Sequence, residues 1–68
     1  MNFSENLQEL MFRHGYTQAV VAKAVGVSQR AVSKWLRTES EPTATNLYRL
    51  AKFFDVSSDF LLGLREDY

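Results

Sequence analysis

Gln29, Arg30, Ser33, Lys34 and Arg37 recur at intervals of three and four residues, which on a helix gathers them along one face. Their side chains carry the groups that read base edges. A glutamine amide pairs with adenine, arginine and lysine reach O6 and N7 of guanine, and a serine hydroxyl serves several edges or a phosphate. Val32 and Trp35, the apolar members of the same segment, anchor the opposite side and leave this face free. Taken one at a time, each of the five is an ordinary surface residue, and three cations on a short helix are equally a solvated face. The elements around them give the pattern its meaning.

The stretch Thr17 to Trp35, TQAVVAKAVGVSQRAVSKW, predicts two short helices joined at Gly26-Val27. Val21, Ala22 and Val25 form one apolar stripe in the first helix. Gly26 ends that helix by taking the left-handed backbone, and Ser28 caps the next. This is the length and chemistry of a helix-turn-helix unit, whose second helix enters the major groove with its first turn deepest, here Gln29 and Arg30. Gln18, just past the Thr17 cap, is expected to offer its amide and the helix N-terminal N–H groups to a phosphate.

Other chemistry is thin. His14 is the single histidine and falls at the end of the first predicted helix, where a structural role complements the helix dipole. The serines read as caps or surface groups. No glycine-rich phosphate loop, Gly-x-Ser-x-Gly or His/Asp/Glu ligand cluster occurs, so neither an enzyme, a cofactor nor a metal is expected. With no cysteine the fold must rest on packing. No apolar run approaches a membrane span, and the N-terminus MNFSENLQEL does not read as a signal peptide, so a cytoplasmic protein is the expectation.

Sixty-eight residues make at most one domain. Eight basic and eight acidic residues cancel, against the basic balance expected of a nucleic-acid binder. Their distribution is uneven: residues 28–38 hold Arg30, Lys34 and Arg37 with no acid, whereas residues 39–68 are net acidic. A local patch of that size can steer toward a polyanion while binding weakly.

An all-α bundle of five short helices is expected. Asn2 with Glu5 forms a capping box for the first helix, which ends at His14-Gly15. Thr43, behind Pro42, caps the fourth, with Leu47, Leu50, Ala51 and Phe54 as its stripe; Ser57 caps the fifth, with Phe60, Leu61 and Leu64 apolar and Gly63 near its end. The tail 65–68 is expected to fray.

These residues resemble the lambda-repressor-like helix-turn-helix domains of the Cro and phage-repressor type. The pieces are Thr17-Gln18, Val21-Ala22, Val25-Gly26-Val27-Ser28, Val32-Ser33-Lys34-Trp35, Pro42, Leu47, Leu50-Ala51, Val56 and Ser58-Asp59-Phe60-Leu61-Leu62-Gly63, in that order and spacing over essentially the whole chain. The resemblance implies a compact five-helix domain binding operator DNA, usually as a two-fold dimer that acts as a repressor. It carries phosphate contact onto Gln18 and base or backbone contact onto Gln29, Arg30, Ser33, Lys34 and Arg37; Thr17, Ser28 and Thr38, at the helix ends beside them, complete the expected DNA-facing set.

Three departures from the pattern are visible. Met11 and Leu36 stand where many relatives place a buried ion pair, so an apolar contact is expected instead. Thr38 replaces a frequent glycine, which predicts a less sharp exit from the third helix. Glu39 and Glu41 stand where some relatives carry cations, which argues against backbone contacts from that loop. Phe12, Tyr48, Phe53, Leu62 and Tyr68 exceed what one small core needs. They form a homodimer interface, through Tyr48, Phe53, Leu62 and Tyr68, or else pack at the core margin or stay singly exposed. The alternative function is a protein-interaction module such as an antitoxin or adaptor, favoured by the zero net charge and the spare aromatics.

Overall fold

The computed structural model describes residues 2–68, and among them lie five helices: α1 Phe3–His14, α2 Gln18–Val25, α3 Gln29–Leu36, α4 Ala44–Phe54 and α5 Ser58–Leu61. Each begins where a side-chain oxygen accepts a backbone N–H that the helix itself leaves unpaired. Asn2 accepts from Glu5, Thr17 from Val20, Ser28 from Ala31, Thr43 from Asn46 and Ser57 from Phe60. Such a cap contributes about 1 kcal/mol, a large share of the stability of so small a domain. These are the five caps expected from the sequence.

The apolar stripes meet in one core: Leu7, Leu10 and Met11 of α1, Val21, Ala22 and Val25 of α2, Val32 and Trp35 of α3, Leu50, Ala51 and Phe54 of α4, and Phe60 and Leu61 of α5. α2 packs on α3 and α4, and α1 on α3 and α5, so α3 is held from behind by two helices. Met11 lies in the core and Leu36 packs half-buried against it; neither is exposed, as an apolar replacement for an ion pair requires.

Polar ties reinforce this packing. Asn6, only 2% exposed, donates from Nδ2 to the carbonyls of Phe60 (2.8 Å) and Leu61 (3.3 Å), closing the last turn of α5 against α1. Ser4 Oγ donates to the Leu36 carbonyl at 2.6 Å, fixing the exit of α3 on α1. Arg49 of α4 donates from Nη1 to the Val25 carbonyl at 3.3 Å, covering the end of α2.

Three expectations are corrected, and for Phe53 one of two open readings is favoured. The exit of α3 is sharp, because Thr38 itself takes the left-handed conformation at φ 61° that glycine would supply. α5 is one turn long, and Leu64, expected on its apolar side, is 73% exposed. Gly63 at φ 81° turns the chain so that Gly63 and Leu64 donate back to the Phe60 and Asp59 carbonyls, which stops the helix. The tail is not frayed: Ser57 N–H donates to the Tyr68 carbonyl at 2.8 Å, the Tyr68 ring stands edge-on to Phe60 at 4.7 Å, and Arg13 donates to the Tyr68 hydroxyl and lies over its ring. Phe53 is likewise engaged within the chain, half-buried and 5.2 Å from the Tyr16 ring and 5.0 Å from Phe54. Of the four residues expected at a dimer interface, Tyr48 and Leu62 are the two that these ring contacts leave free.

Candidate nucleic-acid interface

The α2–turn–α3 unit is built by two residue choices at its joint. Gly26 takes φ 82°, and its N–H, with that of Val27, donates to the Ala22 carbonyl at 2.8 and 3.0 Å, closing α2. Ser28 then returns to extended backbone and starts α3. Val32 and Trp35 are driven inward, and the Phe3 ring meets Trp35 edge-on at 6.3 Å, which fixes the rotation of α3.

With that rotation fixed, about 100° per residue sets Arg30 and Arg37 opposite Val32, flanked by Ser33 and Lys34. Gln29 lies nearer the edge of the face. Gln29, Arg30, Arg37 and Thr38 are exposed, and Ser33 and Lys34 are partly exposed. Thr17 and Gln18 are at the start of α2, Thr17 exposed and Gln18 partly so. The Thr17 and Ser28 hydroxyls accept cap bonds at 3.2 and 3.1 Å, and each still has its own proton to donate. The backbone N–H groups of Gln18 and Ala19 precede the first cap-bonded amide of α2, so they point free from its positive end.

The charge on this face is smaller than the sequence suggests. Arg37 is paired with Glu39, Nε to Oε2 at 2.6 Å and Nη2 to Oε1 at 3.4 Å, with both side chains more than half exposed. Of the three cations in residues 28–38, Arg30 and Lys34 are the two in no ion pair among the described residues. Spacing along one helix does not reveal this pair; it forms because the left-handed Thr38 folds the chain back. No group of His, Cys, Asp and Glu that would hold a metal occurs among the described residues.

Comparison with known proteins gives this arrangement a lineage. A family model described as helix-turn-helix matches residues 7–61, from the first core leucine of α1 to the last residue of α5. The chain belongs to the helix-turn-helix family, in its lambda-repressor-like branch. Among helix-turn-helix relatives, the repressor protein C2 of Salmonella phage P22 is 49% identical over 45 residues, covering 66% of this chain and 21% of that protein. The transcriptional activator BcrR of Enterococcus faecalis is 38% identical over 66 residues, covering 97% of this chain and 32% of that protein. The chain thus spans between a fifth and a third of the length of these two relatives. Its fold superposes on a crystal structure of the P22 c2 repressor in complex with a synthetic operator, with a TM-score of 0.89 and 35% identity over 96% of this chain and 98% of that one.

The residues that sequence reasoning missed tie helices to one another: Asn6 joins α1 to α5, Ser4 joins α1 to α3, and Arg49 joins α4 to α2. Asn6 did leave a signal, since it lies four residues before Leu10 on the buried stripe of α1, where a polar residue needs partners. Ser4 and Arg49 left none, because their partners are backbone carbonyls on other helices.

Proposed function

We propose that this chain is a sequence-specific double-stranded DNA-binding domain of a bacterial or phage transcription regulator, with α3 as the element that enters the major groove. The observation that carries this is the free face of α3: Gln29 and Arg30 exposed in its first turn, Ser33 and Lys34 behind them, and Val32 and Trp35 locked beneath. Its likeness to the operator-bound P22 c2 repressor supports the same docking. Thr17, Gln18 and the free N–H groups of α2 then take one phosphate, while Arg37 and Thr38 take backbone contacts beyond α3. The domain occupies 1–68 and is not itself an enzyme; it works in the cytoplasm by excluding polymerase from an overlapping promoter. Its relatives include a transcriptional activator, BcrR, as well as a repressor, P22 C2. A two-fold dimer through Tyr48 and Leu62 sets two copies of α3 about one DNA turn apart.

Selection from a random duplex pool followed by mobility shift tests the reading. Saturable shifts of the recovered sequence, exceeding those of an unrelated duplex, are expected. Gln29→Ala and Arg30→Ala should each relax base preference by about 1–3 kcal/mol for every bidentate base pairing removed. Arg37→Ala should weaken all sequences alike. Unchanged selectivity in both Gln29→Ala and Arg30→Ala would remove α3 as the reading element.

A further inference from the structure

Resting on that DNA-binding reading, we infer that Glu39 is an intramolecular competitor for Arg37, a positioning residue that holds down phosphate contact and sets how tightly the domain grips DNA of any sequence. The turn after α3 builds the competition. Thr38 at φ 61° donates its N–H to the Trp35 carbonyl at 3.2 Å, and Glu39 donates its own to the Lys34 carbonyl at 2.8 Å. Those two bonds return the chain over the end of α3 and place the Glu39 carboxylate on the Arg37 guanidinium, with two N–H···O contacts at 2.6 and 3.4 Å. A guanidinium held in this forked geometry presents to carboxylate the edge it would present to phosphate.

The pair is open to solvent, 57% and 51% exposed at its two side chains, so a phosphate can displace the carboxylate. Displacement is not free of consequence, because it leaves Glu39 unpaired beside the polyanion it has given way to. Arg37 therefore binds phosphate less well than its position suggests, and the penalty is independent of base sequence. In a molecule with no net charge, Arg37 is one of three cations in the α3 segment, so one internal competitor weighs heavily. Glu41 supplies the control. It is an exposed acid in the same loop and takes part in no ion pair among the described residues.

The experiment compares wild type, Glu39→Gln, Glu41→Gln, Arg37→Ala and the double variant Arg37→Ala/Glu39→Gln. Each is titrated by mobility shift against the selected duplex and an unrelated duplex at roughly 50 and 200 mM salt, the range over which phosphate contacts weaken steeply. Glu39→Gln should tighten both duplexes by the same factor, and by more than Glu41→Gln. That advantage should fall about threefold between the two salt concentrations, because removing the carboxylate adds one unit of net positive charge beside the phosphates. In the Arg37→Ala background the gain from Glu39→Gln should shrink to that of Glu41→Gln. Equal effects of the two glutamine variants, or an undiminished gain without Arg37, would overturn the competition while leaving DNA binding intact. Failure of wild type and every variant to shift any duplex would overturn the DNA-binding reading and this inference together.

Discussion

Thr38 carries a backbone conformation that costs a β-branched residue about 1–2 kcal/mol, and the cost is met because the turn it makes closes α3 and places Glu39. Thr38→Gly should raise stability by about 1 kcal/mol, moving the thermal midpoint up by roughly 4–8 °C for a domain of this size. A lower midpoint would mean that the threonine side chain makes contacts worth more than its strain. Asn6 is the opposite case, a polar group whose donors are used and whose Oδ1 has no partner among the described residues. Asn6→Ala should cost about 1–3 kcal/mol, since it leaves the buried Phe60 and Leu61 carbonyls without donors; urea titration measures it. At this scale the caps were legible in the sequence, because a cap is a contact between residues three apart. The left-handed Thr38 was not, because its side chain disfavours what the surrounding turn imposes.

Among the elements, the segment after α5 is the one whose character the chain's local composition misstates. Polar and charged residues predict a loose end, yet the Tyr68 ring, the Ser57 amide and Arg13 of α1 pin it across the bundle. Tyr68→Ala should lower stability by about 1 kcal/mol, the worth of one edge-to-face aromatic contact, visible as a reduced urea midpoint. Within the same segment the Arg65 guanidinium donates to Asp67 at 3.0 and 3.1 Å, and that bond holds the Asp67 carboxyl below its ordinary value. A lowered folded-state value means that any stabilisation from this pair is complete above the unfolded-state value and disappears as pH falls through the lowered one. The strap should therefore be indifferent to pH near neutrality and loosen only in acid below the usual carboxylate range. The protection factor of the Ser57 amide, its exchange rate relative to the intrinsic rate at the same pH, reports this, and Asp67→Asn should remove the share of the acid dependence that this pair contributes.

For the whole molecule the governing fact is a net charge of zero combined with a short α3. Arg30 and Lys34 remain as its cations in no ion pair among the described residues, so a single copy should bind weakly and a paired copy much more tightly. Tyr48, at 59% exposure, and Leu62, at 48%, make no ring contact within the chain and are the residues proposed for that pairing; Phe53 and Tyr68 do make ring contacts, Tyr68 with 48% of its surface still open. Tyr48→Ser with Leu62→Ser should leave the thermal midpoint nearly unchanged, because both side chains are exposed, while reducing operator affinity and the steepness of the binding curve. Sedimentation of the protein–DNA complex gives the stoichiometry directly.

Short-range periodicity was enough to read the five helix starts, the apolar stripes of α1 to α4, the Gly26 turn and the face of α3 that carries Gln29, Arg30, Ser33 and Lys34. Residues three and four apart meet on a helix whatever the rest of the chain does, so these features survive without knowledge of the fold. Contacts made across elements depend instead on how the whole bundle packs. Asn6 reaches α5, Ser4 reaches α3, Arg49 reaches α2 and Tyr68 reaches α1, over separations of 24 to 55 residues that no local rule constrains. The Arg37–Glu39 pair lies between the two regimes. Its partners are two residues apart, yet they meet only because the packed exit of α3 forces Thr38 into the conformation that brings them together.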